Sequence, residues 1–352
     1  MSVDLLVIGG GPVGLATALY AVRRDLTVEV LEPRPGPVDK ACGEGLMPGG
    51  LAALDDLGVR PKGHPFNGIR YLARNGSAVA DFTRGPGLGV RRTELQARLS
   101  GATADAGVTV RRLSATGLSQ DADGVDVTTR LPGGEGGPTI RAGHVVAADG
   151  LHSWARRHLG LDRPVSQPGR YGLRQHFAIS PWSSHVDVLW AQDAEAYVTP
   201  VADDLVGVAV LSRRRRPFAE HLAQFPPLAE RLAGVDSASA VQGAGPLRQR
   251  SRHRVAGRVL LVGDASGYVD ALTGEGISLG LAQARAAVAA IAADRPADYE
   301  RGWLAATWRC SLLTHGLLQA TRPQVVRRAL VPLAGRVPWV FSAAVNELGR
   351  SA

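Results

Sequence analysis

The amino-acid sequence predicts an α/β protein: a doubly wound, mostly parallel sheet, an inserted antiparallel sheet, and a helical C-terminal segment. Three observations carry this expectation. The chain opens on an apolar run, a glycine-rich turn, an alanine-rich run and a second apolar run, which is a βαβ beginning. Residues 170–211 alternate apolar and polar side chains in about four short runs, the pattern of antiparallel strands with one face covered. A second strand, glycine turn and alanine-rich helix return over residues 255–293.

Residues 3–9 read as a strand, apolar throughout after Asp4, as a buried parallel strand requires. Residues 12–24 read as a helix with Pro12 in its first turn, and 26–31 as the second strand. Residues 33–37 form a turn-rich loop. Helical spacing recurs over 46–57, ending at Gly58, and over 92–106, ending at Gly107. Asn75-Gly76 predicts a hairpin over 67–82. Residues 108–140 read as a β-meander, and 144–148 as another buried strand. The inserted sheet is expected from strands 171–179, 185–190, 196–201 and 205–211, followed by a helix over 217–232. A long helix is expected over 277–293. Residues 296–348 read as helical, with breaks at prolines 323, 332 and 338.

Length and composition bound the function. A chain of 352 residues has room for about two lobes. With 45% hydrophobic and 20% charged residues, it is an ordinary globular composition rather than a disordered one. The net charge is +8, and only Lys40 and Lys62 are lysines. No basic stripe carries interleaved aromatics, so the charge does not indicate a nucleic-acid partner. The run Arg213 to Arg216 reads as a solvated turn. Cys42 and Cys310 are too few for a disulfide framework or a metal site. Asp4 stands where a signal peptide needs apolar residues, and no uncharged apolar run reaches about 18 residues, so a cytoplasmic location is expected. The 296–352 tail reads first as a packed cap; closure over the pocket, dimerisation and membrane contact stay open beside it.

Three segments carry chemistry. Gly9-Gly-Gly11-Pro12-Val-Gly14 fits GxGxxG between a strand and a helix. Its glycines allow a tight turn, close approach of a diphosphate, and close helix–strand packing. Glu32, closing the second strand, is placed to hold ribose hydroxyls. Asp149-Gly150-Leu-His-Ser153-Trp-Ala-Arg156 follows the strand at 144–148. Gly263-Asp264 follows an apolar strand, and Gly274-Glu-Gly276-Ile277 opens the long helix, whose free N–H groups and dipole suit an electron-rich ring edge. Two such loops ask for a large two-part ligand, and FAD fits that description.

In this order, GxGxxG, DGxxSxxR and GD…GxG resemble the class A flavin monooxygenases, the family of p-hydroxybenzoate hydroxylase, over about residues 1–295. The resemblance implies a Rossmann-like FAD-binding fold of the GR2 type. It implies a discontinuous FAD-binding domain over 1–66, 90–160 and 255–295, a substrate-binding sheet domain over 67–89 and 161–254, and the helical segment 296–352. It assigns Gly9, Gly11, Pro12 and Gly14 to the diphosphate and Glu32 to the ribose. Arg92 resembles the arginine outside the first loop, and Asp149 and Gly150 match the motif tied to FAD and NAD(P)H use. Gly263 and Asp264 match the ribityl-binding turn, and Gly274, Gly276 and Ile277 the pyrimidine edge. Where the family often has proline after the GD segment, this chain has Ala271 and Leu272. The implied activity is an NADPH- or NADH-using monooxygenase that hydroxylates or epoxidises an aromatic or polyketide-like small molecule with O₂, through a flavin hydroperoxide, as a monomer or homodimer.

Cys42-Gly-Glu44-Gly45 also resembles a turn of the geranylgeranyl reductases, which share the FAD fold. That resemblance implies an alternative, reduction of isoprenoid double bonds, in which Cys42 acts near the flavin. Cys42 otherwise reads as a small buried residue in a tight turn. Glu44 reads equally as a general base, a substrate hydrogen-bond partner, or a cap for the next helix. Arg174, His176, Trp190, Tyr197 and Thr199 are candidates for the substrate wall, with Arg174 and His176 on one strand face. A non-catalytic FAD-binding protein is the alternative from another class. No Trp-x-Trp-x-Ile-Pro segment is present, which disfavours a flavin halogenase.

Overall fold

The computed structural model describes residues 2–73, 76–166, 169–272, 274–320 and 324–349. Its centre is a sheet in the strand order Val255–Ala256, Val259–Leu261, Ile140–Ala147, Ser2–Ile8, Val28–Leu31, Thr109–Arg111. From Val259–Leu261 onward the pairings along this path are parallel. Leu5, Leu6 and Val7 are wholly inaccessible, as expected of a strand covered on both faces. Helix Pro12–Val22 lies against this sheet with Gly14, Ala16, Ala18 and Ala21 buried. Helix Gly276–Ala292 crosses it closely: a Cβ on Gly280 would stand 2.4 Å from a Val13 methyl. The two glycine-opened helices are thereby fixed to one another, and the loops preceding them face one cavity.

The expected meander divides. Thr109–Arg111 joins the parallel sheet beside Val28–Leu31, while Ser114–Gln120 and Val125–Arg130 form a hairpin onto Ile140–Ala147.

The second sheet has seven strands, in the order Gln242–Ala244, Tyr171–Phe177, Leu205–Ser212, Ala194–Ala202, Val186–Trp190, Gly68–Ala73, Gly76–Asp81. The early hairpin enters it by parallel pairing of Gly68–Ala73 with Val186–Trp190. Arg74 and Asn75, and with Asn75 the expected turn, lie outside the described residues. Alternation sorts the faces: Ala194, Ala196, Val198, Val206, Val208 and Val210 pack under Phe218, Phe225 and Leu228. Arg174, Tyr197, Thr199 and Leu211 face the cavity.

Two helical expectations change. The single helix over 217–232 is two, Phe218–Leu222 and Pro226–Arg231, because Phe225 precedes a proline and sits at φ −119° and ψ 71°. The expected break at Pro332 is absent: Gln324–Arg336 runs through it. Val331 is fully buried, and Ala334 packs with Ala78 and Ala80 of the hairpin, so packing outweighs the lost backbone bond. Pro323 lies outside the described residues, and Pro338 opens the last helix, Pro338–Leu348.

Candidate active site

One cavity runs from the first glycine loop to the second sheet and the C-terminal helices. At one end, Gly9 has φ +108°, and a Cβ there would stand 2.6 Å from the Ala148 carbonyl oxygen. A Cβ on Gly14 would stand 1.8 Å from the Gly9 carbonyl. Gly11 differs: its Cβ would meet only Arg92 Nη2, at 3.6 Å. So Gly9 and Gly14 are required by the chain itself, whereas Gly11 leaves backbone open toward the cavity. Gly11 also caps helix Pro12–Val22 with no side-chain hydrogen bond, leaving its first N–H groups for a ligand.

Glu32 accepts hydrogen bonds from the Gly10 N–H at 3.0 Å and from Arg34 Nε and Nη2 at 2.8 and 2.9 Å. Burial pushes this carboxyl up, but the Arg34 contacts and the Gly10 N–H outweigh it and hold it below the usual glutamate range. Gln96 donates to the Gly10 carbonyl at 2.9 Å and fixes the crest of the turn.

At the centre, Arg156 is 1% exposed and ties two loops together. It donates to the Leu151 carbonyl at 3.0 Å, beside Asp149-Gly150, and to the Asp264 and Ala265 carbonyls at 3.3 and 3.0 Å. It also pairs with Asp162 at 2.7 Å. Ser153 caps the short helix Trp154–His158 by accepting from the Arg156 N–H. Within DGxxSxxR, the serine and arginine therefore build the cavity rather than face it. Gly274 has φ +70° with open space around it, and no side chain caps helix Gly276–Ala292.

At the far end, Glu44 sits at φ +59°. Its Oε1 accepts from the Arg92 N–H at 2.9 Å, and its Oε2 is 2.6 Å from His176 Nε2. Arg174 can only donate, so its 3.0 Å contact with His176 Nδ1 makes that nitrogen the acceptor and places the ring proton on Nε2, facing Glu44. Arg174 also pairs with Asp39, and Thr199 donates to the Gly43 carbonyl at 2.8 Å. Three side chains of the second sheet thus fasten the 39–45 loop. Burial pushes the Cys42 thiol up, against the lowering charge of Arg92, so it keeps its proton at neutral pH.

Among the described residues, the buried Nε of Arg92 and Oδ1 of Asp149 have no hydrogen-bond partner. A guanidinium with a spare donor beside open glycine backbone and an uncapped helix suits a diphosphate. The family model for the FAD binding domain matches residues 2–296. The chain belongs to the FAD binding domain family. It is 30% identical over 380 residues to the menaquinone reductase of Mycobacterium tuberculosis, covering 96% of this chain and 90% of that one. It is 28% identical to a 12-dehydrotetracycline 5-monooxygenase/anhydrotetracycline 6-monooxygenase of Streptomyces rimosus, over 81% of this chain and 61% of that one. The fold matches that of a flavoprotein/dehydrogenase from Cytophaga hutchinsonii, with a TM-score of 0.78 and 17% identity over 99% and 96% of the two chains. The protein is an FAD-dependent oxidoreductase.

Of the site residues expected from sequence, Gly9, Gly11, Pro12, Cys42, Glu44, Arg92, Asp149, Gly150, Arg174, Gly263, Asp264, Gly274, Gly276 and Ile277 line this cavity. Gly14 and Glu32 stand behind its wall. Tyr197 and Thr199 line it, whereas His176 acts through Glu44, and Trp190 packs on Tyr71 with ring centroids 5.6 Å apart. Lys40, Gln96, Tyr71 and Tyr268 line it without having been expected. Lys40 and Tyr268 adjoin the quoted motifs; no sequence signal marks the other two.

Proposed function

We propose that the protein reduces a carbon–carbon double bond in a long apolar, isoprenoid-type substrate, with NADPH or NADH as electron donor. The observation that carries this reading is the cavity wall beyond the Cys42–Gly45 turn. It is built from Phe66, Ile69, Val186, Val188, Leu317 and Leu348, while the nearby carboxylate of Glu44 is held by Arg92 and His176. Such a wall suits a hydrocarbon chain. The Cys42 turn and the relative named as a menaquinone reductase point the same way.

In this reading Gly9, Gly11, Pro12 and Arg92 would take the FAD diphosphate, with Gly14 closing the turn from behind, and Glu32 would serve the adenosine end from behind the wall, through the Arg34 it holds. Asp264 would take the ribityl chain, with Asp149, Gly150 and Gly263 shaping the groove around it. The first N–H groups of helix Gly276–Ala292, with Gly274 and Ile277, would hold the pyrimidine edge and would stabilise negative charge there. Bound FAD supplies hydride transfer. The Cys42 thiol, which keeps its proton, delivers that proton to the second carbon of the double bond and recovers it from water. Glu44 and Arg174 position Cys42 through the loop they hold.

A second reading, hydroxylation or epoxidation with O₂ as co-substrate, is favoured by the Streptomyces rimosus relative. An oxygen electrode separates the two. The reductase reading expects NAD(P)H oxidation stimulated by an isoprenoid substrate with no matching O₂ uptake; stoichiometric O₂ uptake overturns it.

A further inference from the structure

The C-terminal helices are apolar on the side turned away from the protein. On helix Tyr299–Ala320, Leu304, Trp308 and Leu312 are 57%, 48% and 65% exposed, and their spacing of four puts them on one stripe. Around the bend between Gln324–Arg336 and Pro338–Leu348, Leu333, Trp339 and Val340 are 58%, 72% and 47% exposed. The inward faces of the same elements are occupied. Leu317, Val345 and Leu348 line the cavity, and Phe341 packs on Tyr71, itself a lining residue, with ring centroids 4.6 Å apart. Residues 296–352 hold seven arginines against three acidic residues. Arg301, Arg309 and Arg336 are exposed on these helices; Arg301 pairs with Asp298 at 2.7 Å and Arg309 with Glu347 at 2.9 Å, exposed pairs that acidic headgroups can replace at little cost. Among the described residues no helix is long and apolar enough to cross a membrane.

We propose that these helices dock the enzyme on the surface of an anionic phospholipid bilayer. Tryptophan and leucine enter the headgroup boundary and the arginines meet acidic headgroups. The charge excess selects an anionic surface over a neutral one. Helices Tyr299–Ala320 and Pro338–Leu348 give a lipid-borne substrate a short path, since one side of each faces the bilayer and the other walls the cavity. This last point rests on the isoprenoid reading above; the docking itself rests on the exposed stripes and their charge.

The test is flotation of the FAD-loaded enzyme with phosphatidylcholine vesicles, with and without about one-third phosphatidylglycerol. We expect flotation with the anionic vesicles, loss of it in high salt, and a drop of about tenfold in two separate double variants, Leu304→Ser/Leu312→Ser and Leu333→Ser/Trp339→Ser. Retained FAD and an unchanged far-ultraviolet spectrum show that the variants fold. No flotation, equal flotation on neutral vesicles, or equal flotation of both variants overturns the proposal. So does a concentration-dependent dimer that the same variants dissociate, because a second copy then covers the patch. Turnover of a detergent-dispersed substrate is read separately: if it fails while flotation succeeds, the reaction assignment falls and the docking stands.

Discussion

Glu44 Oε2 and His176 Nε2 lie 2.6 Å apart, both side chains buried, and they join the 39–45 loop to the second sheet. Because Arg174 and Arg92 complete the same network, the Glu44 carboxylate is committed to structure. His176→Phe leaves one carboxylate oxygen buried without a donor, which costs about 3 kcal/mol. His176→Gln keeps a donor in reach and recovers more than half. Denaturant midpoints of the two variants check this; equal loss in both contradicts it.

Arg156 braces the loops on both sides of the cavity centre. Arg156→Met leaves the Leu151 and Ala265 carbonyls without their donor and lowers stability by about 3–5 kcal/mol. FAD affinity should fall at least about tenfold, since the groove walls lose their spacing. Fluorescence titration of the apo-protein with FAD measures it, and wild-type affinity in the variant refutes the brace.

Gly14→Ala and Gly11→Ala should part company. The first drives a Cβ into the Gly9 carbonyl and should prevent folding, while the second meets only the far end of Arg92 at 3.6 Å. Gly11→Ala should leave the melting temperature of apo-protein within about 3 °C and weaken FAD binding about tenfold or more. A folded Gly14→Ala protein, or unaltered FAD binding by Gly11→Ala, contradicts this division.

How much of this was legible in the chain follows distance along it. Gly9 to Gly14, Glu32 and Gly274 to Ile277 carry their meaning locally, in turns of defined geometry at strand and helix ends. Arg156 reads as part of a motif, yet its partners Asp264 and Ala265 are more than 100 residues away, and only the fold brings them together. The Glu44–His176 and Gly43–Thr199 contacts span 132 and 156 residues, so alternation could say which strand face each occupied but not what it met. The same holds for Tyr71, which reaches the cavity because its hairpin pairs parallel with a strand 117 residues later, Tyr71 opposite Val188. Pro332 misled because its helix is held by packing that no local pattern shows.

Glu32 gives a pH signature in the apo-protein. Its carboxyl is held below the ordinary range in the fold, so its stabilising contribution is present above the ordinary glutamate value of about 4.3 and is lost as pH falls through the lower folded value. The advantage of wild type over Glu32→Gln in unfolding free energy should be flat from pH 7 to about 5 and shrink below about 4. An advantage that grows toward acid contradicts the direction.

The reaction itself is decided by the mass of the product. FAD-loaded enzyme, NADPH or NADH and a geranylgeranyl-type substrate are incubated in detergent under strict anaerobiosis and in air, and the products weighed by mass spectrometry. Products heavier by two hydrogens per reduced bond, formed without O₂, are the predicted result. A product heavier by one oxygen atom, formed only in air, contradicts it.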